Sequence, residues 1–202
     1  MRTIFAALLC FLLCAAHASA QSPVAAARGL SIDAGLGYAY VSHGESASSP
    51  VGLWGGAASI MIGSSRLGLK ADLAYARAAA IAGTGHHNEV LSYLAGPVFH
   101  PTIHRNFETY VQVLVGAARV SGPVPLGGGG YLLGGWGTGL AWLAGGGVEY
   151  RVTDAIVIRT GVDYVRTSYF DPSLSYRGQN NLRSTATIVY CLKRRPRRRR
   201  LG

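Results

Sequence analysis

Cysteine is scarce in this 202-residue chain: Cys10 and Cys14 lie in the first twenty residues, and only Cys191 lies beyond them. Once those twenty residues are removed no internal disulfide can form, so the fold must be stable without one. Charge is sparse as well. Asp, Glu, Lys and Arg make up 14% of the residues, against roughly a quarter in ordinary soluble domains. Long apolar runs are also missing. Although 49% of the chain is hydrophobic, no apolar run of about 18 residues follows residue 20, which excludes a membrane-spanning helix there. Abundant glycine with little charge suits neither a disordered chain nor a highly charged cytosolic enzyme.

What is present first is a leader. Arg2 supplies a positive start, an apolar stretch follows, and His17-Ala18-Ser19-Ala20 offers the small-x-small pattern of a signal-peptide cleavage site before Gln21. Cys10 and Cys14 each follow a leucine, where a lipoprotein signal requires a small residue. The formal charge of +10 then resolves: Arg2 carries one unit and the tail at 193–200 carries seven, which leaves 21–192 near +2. The basic charge belongs to a tail, so it does not mark the domain as a nucleic-acid binder. The expected organisation is a signal peptide (1–20), a linker (21–27), one folded domain (28–192) and a disordered basic tail (193–202). That tail reads as a solvated segment, with a place in the periplasm near anionic lipid or cell-wall material as the alternative.

The folded part alternates with period two, the signature of strands. One face of the first run reads Leu30, Ile32, Ala34, Leu36, Tyr38, Tyr40, against Ser31, Asp33, Gly35, Gly37, Ala39. The third run is the clearest, with Leu67, Leu69, Ala71, Leu73, Tyr75 against Gly68, Lys70, Asp72, Ala74. Similar runs begin near residues 54, 91, 107, 136, 156 and 182, giving eight strands. Most span about ten to twelve residues, enough to cross a bilayer at a steep tilt. The gaps alternate between long (42–51, 77–88, 119–135, 167–179) and short (63–66, 100–106, 151–154), as outer loops and inner turns do in a transmembrane barrel.

Aromatic residues form two sets. Tyr38, Tyr40, Trp54, Tyr75, Trp136 and Tyr164 fall near the outer strand ends, and Phe99, Phe107, Tyr150 and Tyr190 near the inner ones. Two belts at the lipid–water boundaries are the expected arrangement; Trp142, in mid-strand, does not fit. The fold class is therefore all-β: an eight-stranded antiparallel up-and-down transmembrane β-barrel. A soluble lipocalin-like barrel would need many more charges on one strand face. The other face here holds mostly small residues plus Asp33, Lys70, Asp72, Glu108, Glu149, Arg159, Asp163 and Arg183. Buried charges persist only when paired, so these eight are expected to form a luminal network linking the acids to Lys70, Arg159 and Arg183. In a barrel this narrow the network would act as a plug.

Several segments resemble the small OmpA/OmpX-type barrels grouped as the outer membrane protein β-barrel domain. Ala144-Gly145-Gly146-Gly147-Val148-Glu149-Tyr150-Arg151-Val152-Thr153 looks like the family's Gly-rich strand and inner turn. Val162-Asp163-Tyr164-Val165-Arg166-Thr167 looks like the strand after it, and Gln179-Asn180-Asn181-Leu182-Arg183 like the start of its last strand. Leu94-Ala95-Gly96-Pro97 fits the fourth. The resemblance covers roughly 28–192 and implies an outer-membrane location, lipid contact and insertion by the barrel-assembly machinery. It brings no active site. The last strand departs from the pattern: Leu192 stands where the family usually ends in an aromatic residue.

Enzyme motifs fail. Barrel enzymes that cleave or transfer lipid acyl groups pair a His with a Ser, but no His-x-Ser occurs, and His43, His86, His87, His100 and His104 all fall in expected loops or turns. His86-His87 with Glu89 and His43 follow no established ligand spacing and read as solvated loop residues. The glycines at 127–130 lack a following Gly-Lys-Ser/Thr, and Gly135-Trp136-Gly137-Thr138-Gly139 is followed by no helix pattern. No cofactor, metal or nucleic acid is implied. The expectation is a monomeric, non-enzymatic outer-membrane barrel serving envelope integrity or surface interaction, with a narrow pore as the alternative.

Overall fold

The computed structural model describes residues 30–43, 51–64, 66–78, 87–104, 106–121, 124–126, 130–132, 136–167 and 179–193. The proposed leader and most of the basic tail lie outside them. Eleven strands are described: β1 (Ser31–His43), β2 (Val51–Gly63), β3 (Leu67–Ala78), β4 (Asn88–Phe99), β5 (Ile103–His104), β6 (Phe107–Ser121), β7 (Val124–Leu126), β8 (Gly130–Leu132), β9 (Trp136–Arg151), β10 (Ile156–Thr167) and β11 (Gln179–Lys193). Eight of them, β1–β4, β6 and β9–β11, each pair antiparallel with two neighbours. β1 pairs with β11, and β4 with β6, so the sheet closes on itself with no free edge. The barrel is eight-stranded and up-and-down.

The alternation has a physical outcome that decides inside from outside. Leu36, Ile62, Leu69, Val113, Val162 and Ile188 are exposed on the outer wall. Outward positions carry no charge between the two barrel ends; Arg77, Glu89, Arg119 and Arg166 stand only at the loop ends of their strands. A continuous apolar band of this extent is stable only against lipid.

The strands run further than their sequence patterns suggested. His43, Val51, Arg77, Ala78, Asn88, Ser121, Thr167 and Gln179, all expected in outer loops, lie in strands, and the loop at 119–135 contains the small β7–β8 hairpin. Ladder hydrogen bonds continue beyond the apolar stripe because the backbone groups must still be satisfied. One interruption is local. The β4–β6 register passes from Ala95↔Val115 to Val98↔Gln112, skipping Pro97, which has no N–H to donate.

The inner turns are tied together. Ser64 N–H donates to the Leu67 carbonyl at 2.8 Å, and Thr153 Oγ1 accepts from Ala155 and Ile156 N–H at 3.2 and 3.0 Å. His100 N–H donates to the Arg66 carbonyl at 2.8 Å, and Arg151 N–H to that of Asn106 at 2.7 Å. These bonds make one laced rim and set the direction of the side chains entering the lumen beside it.

Tyr38, Trp54, Phe99, Phe107, Tyr150, Tyr164 and Tyr190 face outward, and the Trp54 ring lies 5.6 Å from that of Tyr38 and 4.4 Å from that of Tyr40. Trp142 packs against Tyr164 with ring centroids 5.5 Å apart and is level with Arg166 in the register. It stands in the middle of β9, as expected, yet near the loop end of β10. Trp136 pairs with Ser121 at the far end of β9, roughly 20 Å further along the strand.

Candidate functional site

The lumen is the one place where polar chemistry concentrates, and the alternation of eight strands puts it there. Asp33, Lys70, Asp72, Glu108, Glu149, Arg159, Asp163 and Arg183 are all buried inside the barrel. The acid–cation links expected from the sequence include Lys70–Asp72, Arg183–Asp72, Arg183–Asp163 and Arg159–Glu149. The eight residues divide into layers along the axis.

The middle layer is a closed ring. Arg183 of β11 donates to Asp72 of β3 through Nη1 at 2.6 Å, and to Asp163 of β10 through Nη2 at 3.0 Å and Nε at 3.2 Å. Lys70 pairs with Asp72 at 3.0 Å and donates to Gln112 Oε1 at 3.1 Å; Gln112 Nε2 donates to Asp163 Oδ1 at 2.7 Å. In the order of the closed sheet, β3 and β10 lie on opposite walls, so Arg183 joins groups across the full width of the lumen. Two cations meet two anions and the layer is neutral.

Below it, Arg159 binds Glu149 through Nη2 at 2.7 Å and Nε at 2.8 Å, and its guanidinium lies 5.5 Å from the Tyr110 ring centre. His100 Nε2 lies 3.3 Å from the same Glu149 oxygen. At the inner rim, Glu108 pairs with Arg151 at 3.4 Å, and Asp33 stands across from Cys191 in the β1–β11 ladder. Cys191 is a free thiol.

Above the ring the lumen is apolar. Leu53, Leu94, Leu114 and Leu143 are at most 3% exposed and pack with Val41, Ala76, Ala118, Val120 and Ala141. The space left there, bordered by Ser92, Thr167, Asn181 and Arg183, measures about 20 Å³, room for about one water molecule. The expectation of a lumen lined by small and charged residues overlooked these leucines.

His100 lies in the turn after β4, as expected, but it is completely buried and points into the barrel. His104 lies in β5 and His43 in β1. His86 falls outside the described residues, while His87 Nε2 lies 3.5 Å from Glu89 on the exposed rim. Gln112, Tyr110, Arg151 and His100 were absent from the expected network. All four have a period-two signal, because each continues the inward parity of its strand. The buried serines described donate to backbone carbonyls, Ser31 to Gly63 and Ser92 to Ala74.

A closed eight-stranded barrel with an apolar belt and a charged, filled lumen defines a small transmembrane β-barrel. Residues 6–189 match the family described as outer membrane protein beta-barrel domain, and the chain belongs to that family. It is accordingly an outer-membrane protein. Among solved structures, Ail of Yersinia pestis, crystallised with the heparin analogue sucrose octasulfate, is similar at 18% identity and a TM-score of 0.56, covering 81% of this chain and 99% of that one. Neisserial surface protein A is similar at 16% identity and a TM-score of 0.54, covering 80% of this chain and 96% of that one. These likenesses concern the fold. No curated protein matches the chain by sequence.

Proposed function

We propose that this barrel is a non-enzymatic, monomeric envelope protein whose lumen is a structural plug and whose outer loops contribute to envelope integrity or surface interaction. The observation that carries the reading is Arg183 held between Asp72 and Asp163 of opposite walls, with the tight apolar layer above it. A lumen closed at two successive levels leaves the loops and the lipid-facing wall as working surfaces. Its partners in this reading are outer-membrane lipid and, during biogenesis, the assembly machinery. It is exported by a signal peptide cleaved before Gln21.

Two measurements test it. Purified barrel inserted in planar bilayers is expected to show no steady conductance; a stable current step per insertion would overturn the plug and favour a narrow pore. Protease added to intact cells is expected to cut within 42–51, 77–88, 119–135 or 167–179. Cuts confined to the short turns would instead invert the orientation and move the working surface to the other side of the membrane.

A further inference from the structure

We infer that His100, Glu108 and Glu149 form a binding site for a divalent transition-metal ion such as Zn²⁺ at the inner end of the lumen. The three side chains come from the residue after β4, the start of β6 and the end of β9, and one ligand atom from each lies within 4.8 Å of the others. All three are buried, His100 completely.

Two independent features point to a cation. The first is the imidazole. His100 Nε2 faces Glu149, while Nδ1, also buried, has no hydrogen-bond partner. Nε2 is therefore the nitrogen turned toward the carboxylates, and with the ring proton on Nδ1 it offers its lone pair as a metal ligand. The second is the register. Glu108 and Glu149 are direct Cα partners in the β6–β9 ladder, so two carboxylates stand side by side in a buried setting, where like charges repel. Arg151 and Arg159 offset part of that repulsion. A carboxylate has two oxygens, and it can hold a guanidinium on one and a metal ion on the other.

The chemistry selects the ion class. One imidazole with two carboxylates suits Zn²⁺ and its first-row neighbours rather than Ca²⁺ or Mg²⁺, which favour all-oxygen sets. Bonds of about 2.0–2.2 Å require the ligand atoms to close to roughly 3.3 Å of one another, a movement within the reach of two glutamate side chains. His100 is already fixed by its backbone bond to Arg66. The bound ion would cross-link three strands at the rim beside the inner turns, with remaining coordination positions open to water.

The full-length barrel, folded in detergent micelles, is titrated with Co²⁺ and Zn²⁺. One Co²⁺ per barrel with visible d–d absorption is expected, competed by Zn²⁺. Affinity is expected to fall at least tenfold in both His100→Gln and Glu108→Gln and to stay unchanged in His87→Gln. Heat-dependent gel mobility checks that each variant is folded. X-ray absorption of the Zn²⁺-loaded wild type needs no variant at all: one imidazole plus oxygen donors is expected. No saturable binding below about 1 mM, two or more imidazoles in the shell, or binding abolished by His87→Gln overturns the site.

Discussion

Replacing Arg183 with methionine is expected to lower the apparent unfolding free energy by about 3–5 kcal/mol, the cost of breaking a buried ion pair from one side. Arg183 is 2% exposed and is the only group bound to both Asp72 and Asp163 in the described network. Methionine fills much of its volume but donates nothing, so Asp163 keeps Gln112 alone and Asp72 keeps Lys70. One net negative charge remains where water has little room. Urea titration in micelles, followed by tryptophan fluorescence and gel mobility, reads the loss. The decisive comparison is a second variant in which Asp163→Asn accompanies Arg183→Met. Removing the stranded charge should recover part of the stability, because the penalty lies in the unpaired ion and not in the missing contact. A single variant that unfolds at the wild-type urea concentration would show that the ring contributes nothing. A double variant worse than the single would place the cost in packing.

The barrel itself was legible because its signal is redundant. Period-two alternation, alternating gap lengths and the absence of charge from one face all report the same closed sheet, and the family match agrees. The polar residues of the site were legible only in part. A charge on the inward face, such as Asp72 or Arg183, announces itself, since the bilayer and burial leave it one tolerable environment. A residue that is acceptable in either setting does not. His100 and Arg151 follow outward aromatics, Phe99 and Tyr150, so parity already placed them inside; the turn that does hold His100, and the one expected at Arg151, hid it. Leu114 and Leu143 were hidden for the opposite reason. Leu114 lies between Val113 and Val115 and Leu143 between Trp142 and Ala144, and an apolar residue among apolar residues leaves no alternation to read. The division into layers was out of reach, because it depends on register. Asp72 and Asp163 meet through Arg183, which is 111 residues from Asp72 in the chain, and no local pattern encodes that distance.

Register also creates a steric requirement in the lumen that is set by a side chain. A side chain at Gly161 would run into the Tyr110 hydroxyl, with the Gly146 carbonyl close behind it. Tyr110 is fixed from two directions, since its hydroxyl donates to the Thr160 carbonyl at 3.4 Å and its ring lies against the Arg159 guanidinium. Gly161→Ala is therefore expected to cost about 2–4 kcal/mol, combining overpacking with a disturbed cation–π contact. Tyr110→Phe alone removes one long hydrogen bond and should cost about 1 kcal/mol. The two changes are not independent. Phenylalanine lacks the atom that the new methyl group meets, so the double variant should be more stable than the summed losses by about 1 kcal/mol or more. Urea midpoints of the four proteins complete the cycle. Strict additivity would mean that the strand backbone moves aside at Gly161, and that Tyr110 is not what keeps this position glycine.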